Sequence, residues 1–256
     1  MRPPAFNSLS EGNIVPFSSS EPAGERVLVL APHPDDETLG CGGSLKILSE
    51  AGKAIKVLFL TKGEKAEPDI VDKEGYVSFR EQEAVRAMKV LGISDYAFLR
   101  FPDRELYANI EVAAKKVFTI VEGFRPDTIY SPSVIELNPD HRAAGEIAIM
   151  VQRRHDTCIV FYEVTTPVRP NMFVDITGVF GYKKKAIRAY KSQLKITDYL
   201  SLISSLNFYR TLTLGGKKRY AEAFLRVSHE SDMEKIGLWL SFHDVLSQNF
   251  NMTVLK

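Results

Sequence analysis

Short apolar segments alternate with amphipathic stretches from residue 26 to residue 162, and that alternation constrains the fold more than any other feature. Residues 26–30, Arg-Val-Leu-Val-Leu, read as a buried strand. Leu39, Ser44, Leu45, Ile47 and Leu48 follow at helical spacing up to a stop at Ala51-Gly52. Further strands are expected at 55–61, 96–99, 127–132 and 159–162. Helices are expected over 78–91, 110–121 and 140–151, with a charged loop at 64–76. Strand and helix in alternation build an α/β fold, a parallel sheet with right-handed crossovers. If three strands wind one way and the fourth begins the return, strands one and four become neighbours. The crevice beyond their carboxyl ends is then where such sheets hold ligands. Residues 1–25 read as a polar leader and 26–256 as one α/β domain, with a C-terminal elaboration over about 170–256 that shapes the acceptor side of the pocket. Within that elaboration the pattern predicts a strand at 173–176 and a basic helix over 182–194. Lys183-Lys184-Lys185 and Lys217-Lys218-Arg219 read as solvated helix faces.

Charge and composition narrow the partners. The chain has 256 residues, 45% of them hydrophobic, with 33 basic against 32 acidic side chains and a net charge of +1. That balance argues against nucleic acid as a partner. No apolar run approaches the roughly 18 residues of a membrane span, which argues against integral membrane association. The N-terminal stretch lacks a basic region followed by an apolar one, so no signal peptide is expected. Two cysteines, Cys41 and Cys158, make no disulfide framework, and a cytoplasmic location is the simplest expectation. Cys41 is expected to be a buried thiol and Cys158 a strand-core residue. A homo-oligomer is compatible with all of this.

The chemistry begins in the turn after the first strand, Pro32-His33-Pro34-Asp35-Asp36-Glu37. The flanking prolines hold it extended and delay the helix until after Asp35. An ordinary Asp N-cap would need one carboxylate and leave His33 and the second aspartate unexplained. The fourth strand leads into Asn138-Pro139-Asp140-His141-Arg142, so a second imidazole reaches the same crevice. Two imidazoles and one carboxylate can hold zinc or another divalent ion and leave a position open for water. Asp35 and Asp36 are adjacent and their side chains diverge, so one is expected on the metal and the other beside the water. Gly40, Gly42 and Gly43 lack the spacing of a phosphate-binding loop and are expected to let the helix lie close to the strands. His155, His229 and His243 have no partners at ligand spacing, and Trp239 is expected to anchor a C-terminal helix.

These two motifs resemble the signatures of the PIG-L/LmbE-like zinc N-deacetylases. Thr61 with Gly63, Arg80 with Glu83, Asp103, and Tyr162-Glu163 are also similar to positions of that family, so the likeness runs from about residue 26 to 165. The resemblance implies a Rossmann-like, mostly parallel sheet with zinc at the carboxyl ends of its strands. It implies hydrolysis of an N-acetyl or other N-acyl group from a small-molecule amino sugar or glycoconjugate. His33, Asp36 and His141 would hold the metal, and Asp35 would be the general base. Arg80 and Asp103 would hold substrate hydroxyls, against a surface ion pair of Arg80 with Glu81 or Glu83. Asn138 and Asp140 would complete the catalytic set. Asn138 departs from the histidine found in many relatives; its amide can donate to an oxyanion but cannot transfer a proton. The alternatives are a metal-dependent amidase acting on another acylated amine, and a sugar-binding member without catalysis.

Overall fold

The computed structural model describes residues 18–229 apart from Pro68, together with residue 232. His243, Trp239 and the first seventeen residues of the leader lie outside the described residues. The elements follow in the order β1 (Arg26–Ala31), α1 (Asp36–Glu50), β2 (Ala54–Thr61), α2 (Lys73–Leu91), β3 (Asp95–Phe101), α3 (Ile110–Phe124), β4 (Thr128–Pro132), α4 (Pro139–His155), β5 (Cys158–Tyr162), β6 (Met172–Asp175), α5 (Phe180–Ile187), α6 (Lys191–Leu194), α7 (Tyr199–Tyr209) and β7 (Ala221–Val227). One seven-stranded sheet runs β3-β2-β1-β4-β5-β7-β6. Strands β1 to β5 are parallel, with Val27 opposite Ile55 on one side and Thr128 on the other. Strands β1 and β4 are therefore adjacent, and the reversal of strand order falls between them, as the alternation predicts.

Strand β1 lies mid-sheet and is buried on both faces, which is why it reads as a continuous apolar run instead of an alternating one. Leu28 and Leu30 belong to a core with Val117 and Val121 of α3 and Ala144 and Ile147 of α4. Val27 and Val29 belong to the opposite core, with Leu45 and Leu48 of α1 and Ala84, Met88 and Leu91 of α2. The remaining leader is draped over the sheet end, where Ser20 N–H donates to the Phe173 carbonyl at 2.8 Å.

Helix α1 approaches the sheet closely. A Cβ on Gly40 would stand 2.1 Å from the Tyr162 ring, and one on Gly43 would stand 2.6 Å from Ile176, whereas Gly42 has room. The Tyr162 ring is fixed by its hydroxyl, which donates to the Leu30 carbonyl at 2.8 Å. Gly40→Ala is therefore expected to destabilise the fold by about 1–3 kcal/mol, read as a lower urea midpoint at unchanged slope.

The elements differ from the sequence reading in several places. Helix α2 starts at Lys73, inside the expected charged loop, because Asp72 caps it by accepting from Gly75 N–H at 2.9 Å. The expected helix over 182–194 is two short ones, α5 and α6. Lys183 is not solvated: it is fully buried, and its ammonium donates to Glu222 at 2.6 Å. Lys217-Lys218-Arg219 lie in a loop rather than on a helix. Helix α7 and strand β7 lie outside the sequence pattern. Strand β7 enters antiparallel between β5 and β6. Cys41 is buried and Cys158 half-buried, and both are free thiols. No helix among the described residues is long and apolar enough to cross a membrane.

Candidate metal centre and cavity

Strand β1 ends at the switch point, and the turn that follows is fastened to β2. The Pro32 carbonyl accepts from Thr61 N–H at 2.9 Å and from the Thr61 hydroxyl at 2.8 Å. Asp35 then takes φ 137°, a region costly for a non-glycine residue. Its side chain does not cap α1, so the N-cap explanation of the turn fails. The strained residue is held from three sides. Its own N–H donates to Glu37 Oε2 at 3.2 Å. Arg80, 2% exposed, donates to the carbonyls of Gly63 at 2.7 Å and Pro34 at 2.6 Å, and stands 3.5 Å from the Asp35 carboxylate. Glu81 and Glu83 do not pair with Arg80; Glu81 takes Arg100, and Glu83 takes Ser192.

Three ligand atoms converge beside this turn. His33 Nδ1 lies 3.2 Å from Asp36 Oδ2 and 3.3 Å from His141 Nε2, and the last two atoms are 3.3 Å apart. Donors about 2.0–2.1 Å from a tetrahedral ion are themselves about 3.3–3.4 Å apart, so the triangle has the size a zinc ion needs. The other nitrogen of each ring faces carboxylate. His33 Nε2 is 3.2 Å from Asp103 and 3.3 Å from Asp140, and His141 Nδ1 is 3.6 Å from Glu136. That arrangement sets the tautomers and turns the remaining nitrogens into the triangle. The surrounding acids also call for a cation. Burial opposes protonation of His141, yet the Asp36 carboxylate beside it pushes its pKa up to about 9. Asp36 is held well below the usual carboxylate range, the two imidazoles outweighing its burial. Burial, opposed by Arg80 and reinforced by Asp36, pushes the Asp35 carboxyl up to about 8. Zinc fits the donor set.

A cavity of about 160 Å³ opens over the triangle, lined by His33, Asp35, Asp36 and His141, with Arg80, Asp103, Asn138, Thr165, Gln193 and Tyr199 around them. All the sequence-predicted site residues meet here except Asp140. Asp140 sits behind His33, and its two oxygens accept from Arg104 N–H at 2.7 Å and Leu106 N–H at 3.0 Å. From there it faces the His33 ring, 3.3 Å from Nε2, and does not line the cavity. Asn138 caps α4, its side-chain oxygen accepting from Asp140 N–H at 2.9 Å, so only its NH₂ remains to offer a ligand. Asp103 accepts from Lys65 N–H at 2.9 Å besides facing His33, and Arg80 donates to two backbone carbonyls while its buried Nε has no partner among the described residues. Both therefore serve the architecture of the site before any substrate hydroxyl.

Relatives give this geometry a context. A family model described as GlcNAc-PI de-N-acetylase (PIG-L) matches residues 28–151. Diacetylchitobiose deacetylase of Thermococcus kodakarensis is 32% identical over 69% of this chain and 74% of its own length. The chain belongs to the PIG-L/LmbE deacetylase family. Another member, a probable N-acetyl-α-D-glucosaminyl L-malate deacetylase of Bacillus cereus, is 27% identical over 65% of this chain and 83% of its own. Among solved structures, the N,N'-diacetylchitobiose deacetylase of Pyrococcus horikoshii superposes with a TM-score of 0.73 at 25% identity, covering 84% of this chain and 89% of that one. Each of these three relatives is named a deacetylase.

Several residues of this PIG-L/LmbE site had no sequence signal. Glu136 is buried, and its carboxylate accepts from the N–H groups of Val164 at 2.9 Å and Thr165 at 3.1 Å while facing His141. Gln193 and Tyr199 come from beyond the motif region. Only Glu136 could have been sought, as an acid upstream of the second motif. Glu136→Gln is expected to weaken zinc binding about 10- to 100-fold, measured by competition with a chromophoric chelator.

Proposed function

We propose that the chain is a zinc-dependent hydrolase that removes an N-acetyl group from an amino sugar or glycoconjugate. The observation that carries this reading is the donor triangle of His33, Asp36 and His141 with a fourth polar group, Asp35, in the same cavity yet outside the triangle. His33, Asp36 and His141 would hold the ion. Bound there, zinc lowers the pKa of water and polarises an amide carbonyl. Asp35 accepts a proton from the attacking water and returns it to the departing nitrogen. Arg80 and Glu37 keep Asp35 in its strained position throughout. Asp103 and Asp140 fix the His33 ring, and Glu136 faces the other nitrogen of His141. A polar cavity of this size suits one sugar ring and its acyl group better than an extended chain. The test is acetate release from a panel of N-acetylhexosamines and their glycosides, with zinc-loaded and chelator-treated protein. Release that requires zinc is expected. A zinc-loaded protein that cleaves non-sugar N-acylamines and leaves every sugar untouched would replace the sugar by another acylated amine.

A further inference from the structure

A cavity of about 160 Å³ takes one sugar ring with its acyl group, so whatever that sugar is joined to stands at the mouth. The mouth therefore decides which glycoconjugates fit. His33, Asp35, Asp36, Arg80, Asp103 and His141 line the cavity and are buried. Arg104 lines the same cavity and is exposed. Its charge is not neutralised from within the chain. The acids around it are engaged elsewhere: Glu105 pairs with the Lys65 ammonium at 2.8 Å, Glu64 accepts from Asp103 N–H at 3.2 Å, and Asp103 faces His33 and accepts from Lys65 N–H. The guanidinium makes one hydrogen bond, from Nη2 to the Lys65 carbonyl at 3.3 Å, and no carboxylate pairs with it among the described residues.

The backbone of Arg104 is tied to the metal centre. Its N–H donates to Asp140 Oδ2 at 2.7 Å, the same oxygen that stands 3.3 Å from His33 Nε2. The residue takes φ 63°, a left-handed conformation that glycine adopts more cheaply than arginine. The turn after β3 thus places a guanidinium at the mouth where glycine would be less strained. A guanidinium presents parallel N–H donors that match the two oxygens of a carboxylate or phosphate, whereas a sugar hydroxyl offers it one acceptor and no charge.

We propose that Arg104 binds a carboxylate or phosphate on the group to which the amino sugar is joined, so that the preferred substrate is an anionic glycoconjugate. The inference rests on the N-deacetylase reading. The probes are the methyl glycoside, the carboxymethyl glycoside and the 1-phosphate of N-acetylglucosamine, with acetate release from each read as kcat/KM at low salt. Wild type is expected to favour at least one anionic probe over the methyl glycoside by about tenfold or more, and the better of the two tells carboxylate from phosphate. Arg104→Gly removes the guanidinium, keeps the N–H bonded to Asp140 and relieves the left-handed backbone, so the turn is retained. In that variant the ratio of anionic to neutral probe is expected to fall within about threefold of one. Arg104→Gln, which keeps amide donors without the charge, is expected to lose the preference as well. A wild-type ratio within about threefold of one overturns the proposal, and so does a preference that survives in Arg104→Gly. A wild type that releases acetate from no N-acetylhexosamine, these probes included, overturns the N-deacetylase reading and this inference together. One that is active on N-acetylhexosamines without the anionic preference overturns this inference alone.

Discussion

Asp35→Ala is expected to lower the rate of acetate release about 10²- to 10⁴-fold, the usual contribution of a positioned general base, and to leave one zinc ion bound. The retained metal distinguishes this variant from a simple loss of the site. Asp35 gives no atom to the ligand triangle, whose corners are on His33, Asp36 and His141. Alanine at φ 137° is no less strained than aspartate, so the turn keeps the same need for Glu37 and Arg80. Zinc content by elemental analysis and turnover on the best panel substrate check both halves. An active variant would remove Asp35 from the mechanism, and a zinc-free one would exchange the roles of the two aspartates.

Lys183→Met is expected to cost about 3–5 kcal/mol of stability, the penalty for leaving a buried carboxylate without its counter-charge. Lys183 and Glu222 are both fully buried at the side chain. Glu222 does more than pair. Its oxygens accept from Gly43 N–H and Ser44 N–H, each at 2.8 Å, and from the Ser44 hydroxyl at 2.6 Å. Helix α1 is kinked at Cys41, so these amides belong to a renewed helix start, and Glu222 caps it. The double variant Lys183→Met/Glu222→Gln removes the charge and keeps an acceptor for those amides. Its urea midpoint is expected to lie above that of the single variant.

The contrast between Lys183 and the ligand residues shows what a sequence makes legible here. His33 and Asp36 follow β1, and His141 lies in the first turn of the helix after β4, both strands being buried; the alternation of strand and helix alone brings those strand ends together. Parallel connections are local and right-handed, so order in sequence becomes order in the sheet. Strand β7 breaks that correspondence. It joins β5 and β6 antiparallel, and Ala221–Val227 carries buried Glu222 among its apolar residues, which blurs a strand pattern. Lys183 looks like its exposed neighbour Lys185 until the partner on β7 is known. Glu136, Glu83 and Glu37 are likewise ordinary surface acids by type. Each is buried because it gathers hydrogen bonds from segments distant in the chain. Tyr199 follows the same rule, since its place depends on how residues 190–198 are tied to α1 and α2.

The position of β7 carries a consequence for how the polypeptide assembles. It is the last described strand, yet it stands between β5 and β6, which do not pair with each other. A nascent chain ending before residue 221 therefore presents β5 with an unpaired edge. Such edges invite association with other chains. The same truncated chain lacks the acceptor for the Gly43 and Ser44 amides, so the helix behind the metal turn has no cap. Residues 221–227 therefore both close the β5 edge and supply the acceptor behind the metal turn, which couples completion of the sheet to the setting of that turn.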